Sequence, residues 1–115
     1  MARGRTKGWI MELKQFYISH NCDRISPNAQ AMWHYLMYRA NMNWWHYPLC
    51  LNVPELAYAL KMSTATVKRA RDELTKKGYI RWESPGGARA ARYYIISRTG
   101  SEYAGQEERE QTTEN

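Results

Sequence analysis

The sequence has few of the residues that build covalent or metal-held frameworks: two cysteines, Cys22 and Cys50, and three histidines among 115 residues. Two cysteines do not make a disulfide scaffold. His46 and Cys50 stand four apart and His20 lies near Cys22, but neither pair has the C-x2-C or H-x3–5-H partner that zinc sites show. The expectation is free, buried thiols and no metal. No apolar run approaches the roughly 20 residues of a membrane span. The start, Met1-Ala-Arg-Gly-Arg-Thr-Lys7, lacks the hydrophobic core of a secretion signal, so a cytoplasmic location is expected. Missing too are a Ser-His-Asp set, a phosphate-cradling glycine loop and a paired-carboxylate motif. Neither enzymatic activity nor a cofactor is expected. His34 reads as an ordinary helix residue, and Glu55 and Asp23 as cap and loop.

What the chain does have is positive charge, unevenly placed. Lys and Arg number 17 against 11 acidic residues, a net of +6. Residues 99–115 hold five glutamates against Arg109 alone, a net of −4, which leaves +10 on residues 1–98. A small domain of that charge attracts polyanions, of which nucleic acid is the commonest. The length suits one domain, expected over 9–98, with a basic arm at 1–8 (Arg3, Arg5, Lys7) and a polar, acidic, disordered tail at 99–115.

Local signals place the elements. Trp9, Met11 and Leu13 alternate with Ile10, Glu12 and Lys14, which suggests a short strand at the start of 9–18. Ser26-Pro27 is a helix start, a capping hydroxyl followed by proline at the first helical position. Ala29, Met32, Trp33, Leu36, Met37 and Ala40 then form an apolar stripe at helical spacing. An aromatic loop, 41–50, follows. A second helix begins at Asn52, where Glu55 completes a capping box and Leu56, Ala57 and Leu60 face inward; it ends at Lys61-Met62. Ser63 caps a third helix that runs to Lys77, packs through Val67, Ala70 and Leu74, and stops at Gly78. The period then changes to two. Residues 79–83 read as a strand, Ser84-Pro-Gly-Gly87 as a turn and 92–96 as the returning strand. Helix, short helix, turn, helix, hairpin is the order of a winged helix-turn-helix, a mostly α fold with a C-terminal β-hairpin.

This order carries a binding mode. A helix fits the major groove of DNA and its N-terminal residues meet base edges first. The residues expected to face DNA from helix 63–77 are Ser63, Thr64, Thr66, Lys68, Arg69 and Arg71, with Lys68 and Arg69 the leading contacts. Ser63 has a second role as cap, and Arg71 has the alternative of pairing with the rest of the surface. Small residues at the tip, Thr64, Ala65 and Thr66, allow close approach. The hairpin adds Arg81, Arg89 and Arg92, suited to the DNA backbone or the minor groove.

The same residues resemble a family. Ser26-Pro-Asn-Ala-Gln-Ala-Met-Trp33, Ala40-Asn41 with Trp44 following, Leu51-Asn-Val-Pro-Glu-Leu-Ala57, Met62-Ser-Thr-Ala-Thr-Val-Lys-Arg-Ala-Arg-Asp-Glu-Leu74 and Lys77-Gly-Tyr-Ile80 look like the N-terminal winged-helix domain of phage replisome-organiser and DnaD-like replication initiation proteins. The resemblance covers 26–96. It implies binding of double-stranded DNA at a replication origin and contact with other initiation proteins. Family members usually continue into a segment that engages the helicase or its loader, where this sequence is acidic instead. Many transcription regulators share the helix-turn-helix part, and the Ala-Asn…Trp link is what tilts the reading to replication. The alternatives are a winged-helix transcription regulator and a winged helix used as a protein-interaction module through Trp44 and Trp45. Trp9, Phe16, Trp44 and Trp45 exceed what the three helices and hairpin need for closure, so a homodimer through 9–18 or 41–47 is a further expectation.

Overall fold

The computed structural model describes residues 2–87 and 89–97, with the side chains of 2–8, Asn21 and Cys22 outside the description. The elements are α1 (Ala2–Asp23), α2 (Pro27–Met42), β1 (Leu49–Leu51), α3 (Val53–Leu60), α4 (Thr64–Lys76), β2 (Ile80–Glu83) and β3 (Ala91–Ile95). The three strands form one antiparallel sheet in the order β1-β3-β2. This is the α+β winged helix-turn-helix, with α3 and α4 as the helix pair and β2–β3 as the wing. The tail at 99–115 lies outside the described residues.

The expected caps form as read. The Ser26 hydroxyl accepts from the Ala29 amide at the start of α2. Asn52 accepts from the Glu55 amide while the Glu55 carboxylate accepts from the Asn52 amide, the full capping box of α3. Ser63 accepts from the Thr66 amide at the start of α4. Beyond α4, Gly78 takes φ 84°, a left-handed conformation that glycine adopts without steric penalty.

Segment 9–18 is helix, not strand. The apparent alternation over Trp9, Met11 and Leu13 is short. The true period appears over a longer window, where half-buried Trp9 and Leu13, fully buried Phe16 and half-buried His20 recur at helical steps. Met11, which the strand reading turned inward, is exposed. The helix also runs back through 2–8, the segment expected as a basic arm. Phe16 stacks on Trp33 with ring centroids 4.0 Å apart and meets the edge of Tyr79 at 5.3 Å. Burying such a ring contributes roughly 1.5–3 kcal/mol. Buried Glu12 accepts from the Ser97 hydroxyl and so ties α1 to the end of the sheet.

The aromatic loop also differs from expectation. Trp44 and Trp45 both have positive φ, 55° and 61°, and the Trp45 amide donates to the Ala40 carbonyl. The turn drives Trp45 into the core at 2% exposure and leaves Trp44 54% exposed. Phe16 and Trp45 are therefore core residues, and the aromatic surplus reduces to Trp44 with part of Trp9. After the turn comes β1, a strand too short to leave a sequence signal. It pairs Leu49 with Tyr93 and Leu51 with Ala91. Its alternation sends Leu49 and Leu51 inward and Cys50 out, so the Cys50 thiol is exposed rather than buried.

One bond pair joins α2 to α4. Both Glu73 carboxylate oxygens accept from Ser26, one from its amide at 2.8 Å and one from its hydroxyl at 2.6 Å. Burial pushes the Glu73 carboxyl up, but the Ser26 bonds and the Lys77 ammonium 3.7 Å away more than offset this and hold it below the ordinary value of 4.5. A carboxyl with a pKa lowered by folding stabilises the fold above its unfolded value and loses that contribution as pH falls through the folded one. Glu73→Gln is expected to lower stability by about 1–2 kcal/mol at pH 7. In urea melts the gap should narrow as pH falls past the ordinary value of 4.5 and through the lower folded one, where the native carboxyl itself becomes protonated. An equal gap at both pH values would show that charge plays no part.

Candidate nucleic-acid interface

The helix α4 divides along its length. Its C-terminal half is fastened to its neighbours. Leu74 is fully buried and Glu73 holds Ser26. Lys77, just beyond, donates to the Asp23 carbonyl at 2.7 Å, and Tyr79 donates to the Asp23 carboxylate at 2.6 Å. The N-terminal half packs only through Val67 and Ala70 and leaves Ser63, Thr64, Ala65, Lys68 and Arg69 exposed. This end carries the unpaired amides and the positive end of the helix dipole, to which phosphate is attracted.

The hydroxyls here are arranged in a chain. Ser63 donates to Thr66 Oγ1 at 2.9 Å, and Thr66 Oγ1 also accepts from Arg69 Nη2 at 3.2 Å. Ser63 and Thr66 were both expected to face DNA. In this structure their hydroxyls cap the helix and position the Arg69 guanidinium, with Ser63 exposed and Thr66 half-buried. Thr64 and Lys68, one turn apart, are exposed on the surface. The ion pairs among the described residues are Arg39–Glu55, Lys77–Glu73 and Arg92–Glu83, so neither Lys68 nor Arg69 is neutralised by one.

Arg71 is not part of this surface. It is 9% exposed, its guanidinium carbon lies 3.7 Å over the Trp82 ring, and Nη1 donates to the Tyr93 hydroxyl at 3.3 Å. Trp82 and Tyr93 are paired across β2 and β3 with their rings stacked. The guanidinium can sit over the Trp82 ring because its planar, weakly hydrated group loses less on leaving water than an ammonium does. Arg71 thus joins the recognition helix to the wing, the alternative left open from sequence.

The wing arginines also separate. Arg81 lies 3.9 Å over the ring of Tyr94, its cross-strand partner, and is half-buried. Arg92 pairs with Glu83 at 3.4 Å, and Glu83 accepts from Tyr94 as well. Arg89 is exposed near the tip, donating to the Pro85 carbonyl at 3.0 Å. Beside it Gly86 and Gly87 adopt φ 91° and 62° with open space where a β-carbon would stand. Of the three, Arg81 is the one held against a ring, while Arg89 and the side chain of Arg92, 43% exposed, stay open at the surface. Sequence reading passed over Tyr58 and Lys61, exposed residues at the end of α3 beside the start of α4. Tyr58 lies off the inward stripe of Leu56, Ala57 and Leu60, which was the available signal.

The remaining polar groups are structural. His20 Nδ1 accepts from the Ile25 amide, and the ring of His34 bonds the Gln30 carbonyl and the Tyr17 hydroxyl. Among the described residues no three His, Cys, Asp or Glu side chains are grouped to hold a metal ion. No described helix is long and apolar enough to cross a membrane.

A helix pair with an exposed cationic second helix, followed by a braced hairpin, defines a winged helix-turn-helix protein. A family model described as a helix-turn-helix domain matches residues 23–80, half of the chain, and the chain belongs to that family. Searches of curated proteins and of solved structures give no match.

The two kinds of arginine on α4 should separate by stability. Arg71→Ala is expected to cost about 2 kcal/mol or more, from the lost cation–π contact and packing. Lys68→Ala and Arg69→Ala should each stay within about 0.5 kcal/mol of the parent. Chemical denaturation checks both; a neutral Arg71→Ala would show that the wing does not depend on it.

Proposed function

We propose that the chain is a non-enzymatic, sequence-specific binder of double-stranded DNA acting in phage or bacterial replication initiation. Helix 63–77 enters the major groove and wing 79–96 lies on the backbone or minor groove. The observation that carries this reading is the division of α4, whose N-terminal half exposes Lys68 and Arg69 with no ion pair to either among the described residues. Replication is favoured over transcription by the likeness of Ala40-Asn41…Trp44 to the link in DnaD-like proteins. Such a protein works in the cytoplasm, beside other initiation proteins. Footprinting on the source genome tests the role: protection at an origin supports replication, and protection confined to promoters makes it a transcription regulator.

Binding is expected to weaken steeply with salt, because docking on phosphates releases condensed counterions. Lys68→Ala combined with Arg69→Ala should cut duplex affinity at least tenfold while the protein stays folded. Titration of a labelled duplex at several salt concentrations measures both. Flat salt dependence, or normal binding by the folded double variant, would sink the assignment to α4.

Assembly as a homodimer through 9–18 has its own support. Ile10, Met11, Tyr17 and Ile18 are exposed and spaced to share one face of α1, opposite the face that holds Phe16. Two linked readers gain specificity from paired half-sites. Sedimentation at micromolar concentration is expected to give a dimer, shifted toward monomer by Ile18→Glu. A monomer with and without DNA removes the dimer and leaves DNA binding intact.

A further inference from the structure

The end of α3 carries a feature that core packing does not explain. Tyr58 is 80% exposed, more open than Ile18 or Met42 at 61%. The Lys61 ammonium lies 4.6 Å over its ring and donates to the Tyr58 carbonyl at 3.1 Å. Lys61 itself ends the helix with φ 59° and ψ 45°, the left-handed region. Helix ends of this shape favour glycine, then asparagine, because a β-carbon there crowds the backbone. The turn needs only the backbone, since the bonds that close it run from the Lys61 and Met62 amides to the Ala57 carbonyl. A lysine side chain held at this position therefore does something the turn does not require.

Its surroundings indicate what that is. Ser63, two residues on, caps α4. At 3.8 Å per step, the Lys61 Cα lies within about 8 Å of the Ser63 Cα. The pair borders the helix end that exposes Thr64 and Lys68. The carboxylate on α3, Glu55, is paired with Arg39, and Lys61 has no ion pair among the described residues. When a helix enters the major groove by its N-terminus, the chain leading into it passes over the phosphates at the groove edge.

We propose that Tyr58 and Lys61 form a phosphate clamp that seats the turn before α4 on the DNA backbone. The Lys61 ammonium pairs with a phosphodiester oxygen, the Tyr58 hydroxyl donates to the same or the adjacent phosphate, and the Tyr58 ring keeps the ammonium near. The clamp fixes register and adds affinity without reading bases. It rests on the placement of α4 in the groove.

The test uses Lys61→Gly in the full chain, because stability and binding should move in opposite directions. Glycine relieves the left-handed backbone, so the melting temperature is expected to stay level or rise by a few degrees. Affinity should fall roughly three- to tenfold, equally on the footprinted site and on a scrambled duplex. The slope of log affinity against log salt should become shallower by about one. Lys61→Arg, which keeps the charge, should recover most of the loss, and Tyr58→Phe should weaken binding about two- to fivefold. A Lys61→Gly protein with parental affinity and salt slope overturns the clamp. If that happens while Lys68→Ala with Arg69→Ala still abolishes binding, the clamp alone falls. If the parent binds no duplex, the reading of α4 falls and the clamp with it.

Discussion

The stacking of the Arg71 guanidinium on the Trp82 ring, with Tyr93 closing the other edge, sets the angle between the recognition helix and the wing. Three elements meet at that one side chain: α4 supplies the cation, β2 the ring and β3 the hydroxyl. A helix and a hairpin that contact the same duplex must hold a fixed mutual orientation, because a misplacement of an ångström loses hydrogen bonds on one side or the other. Aliphatic packing would keep the two in contact. The planar cation between aromatic groups adds direction to that contact, since its preferred geometry is face-on to the ring and in line with the hydroxyl.

The rest of α4 follows from this fixed point. Residues on the C-terminal side of Arg71 bind other elements: Glu73 the start of α2, and Lys77 beyond it the end of α1. Residues on the N-terminal side bind one another, through the chain from Ser63 to Thr66 to Arg69. The helix is held at one end and presented at the other. Helix α1 adds depth behind it, with Phe16 reaching both Trp33 and Tyr79, so the wall that supports the recognition helix includes a segment outside the helix-turn-helix itself.

Much of this was legible in the residues, and the failures have physical causes. Ser26, Asn52, Ser63 and Gly78 announced their elements because caps act over three or four residues and need no tertiary information. The period-two pattern of the wing was equally local. Segment 9–18 misled because five residues of alternation fit a strand as well as a helix, and only Phe16 and His20 complete the helical period. Strand β1 has three residues and exists because β3 offers it an edge. In the sequence Arg71 and Glu73 look like surface charges, since charged groups are seldom buried unless paired. Their partners, Trp82 with Tyr93 and Ser26, lie on other elements, so no local pattern reveals them.

The open tip of the hairpin has a consequence for how this protein can change. Gly86 and Gly87 have open space where a β-carbon would stand, while the body of the wing is braced by Arg71, Arg81 and the Arg92–Glu83 pair. Residues inserted at that tip would lengthen the wing's reach along a ligand and leave every bracing contact in place. Loop closure penalises such growth only weakly. The tip is thus a place where the footprint on a ligand can vary while the core and the angle of the recognition helix stay constant.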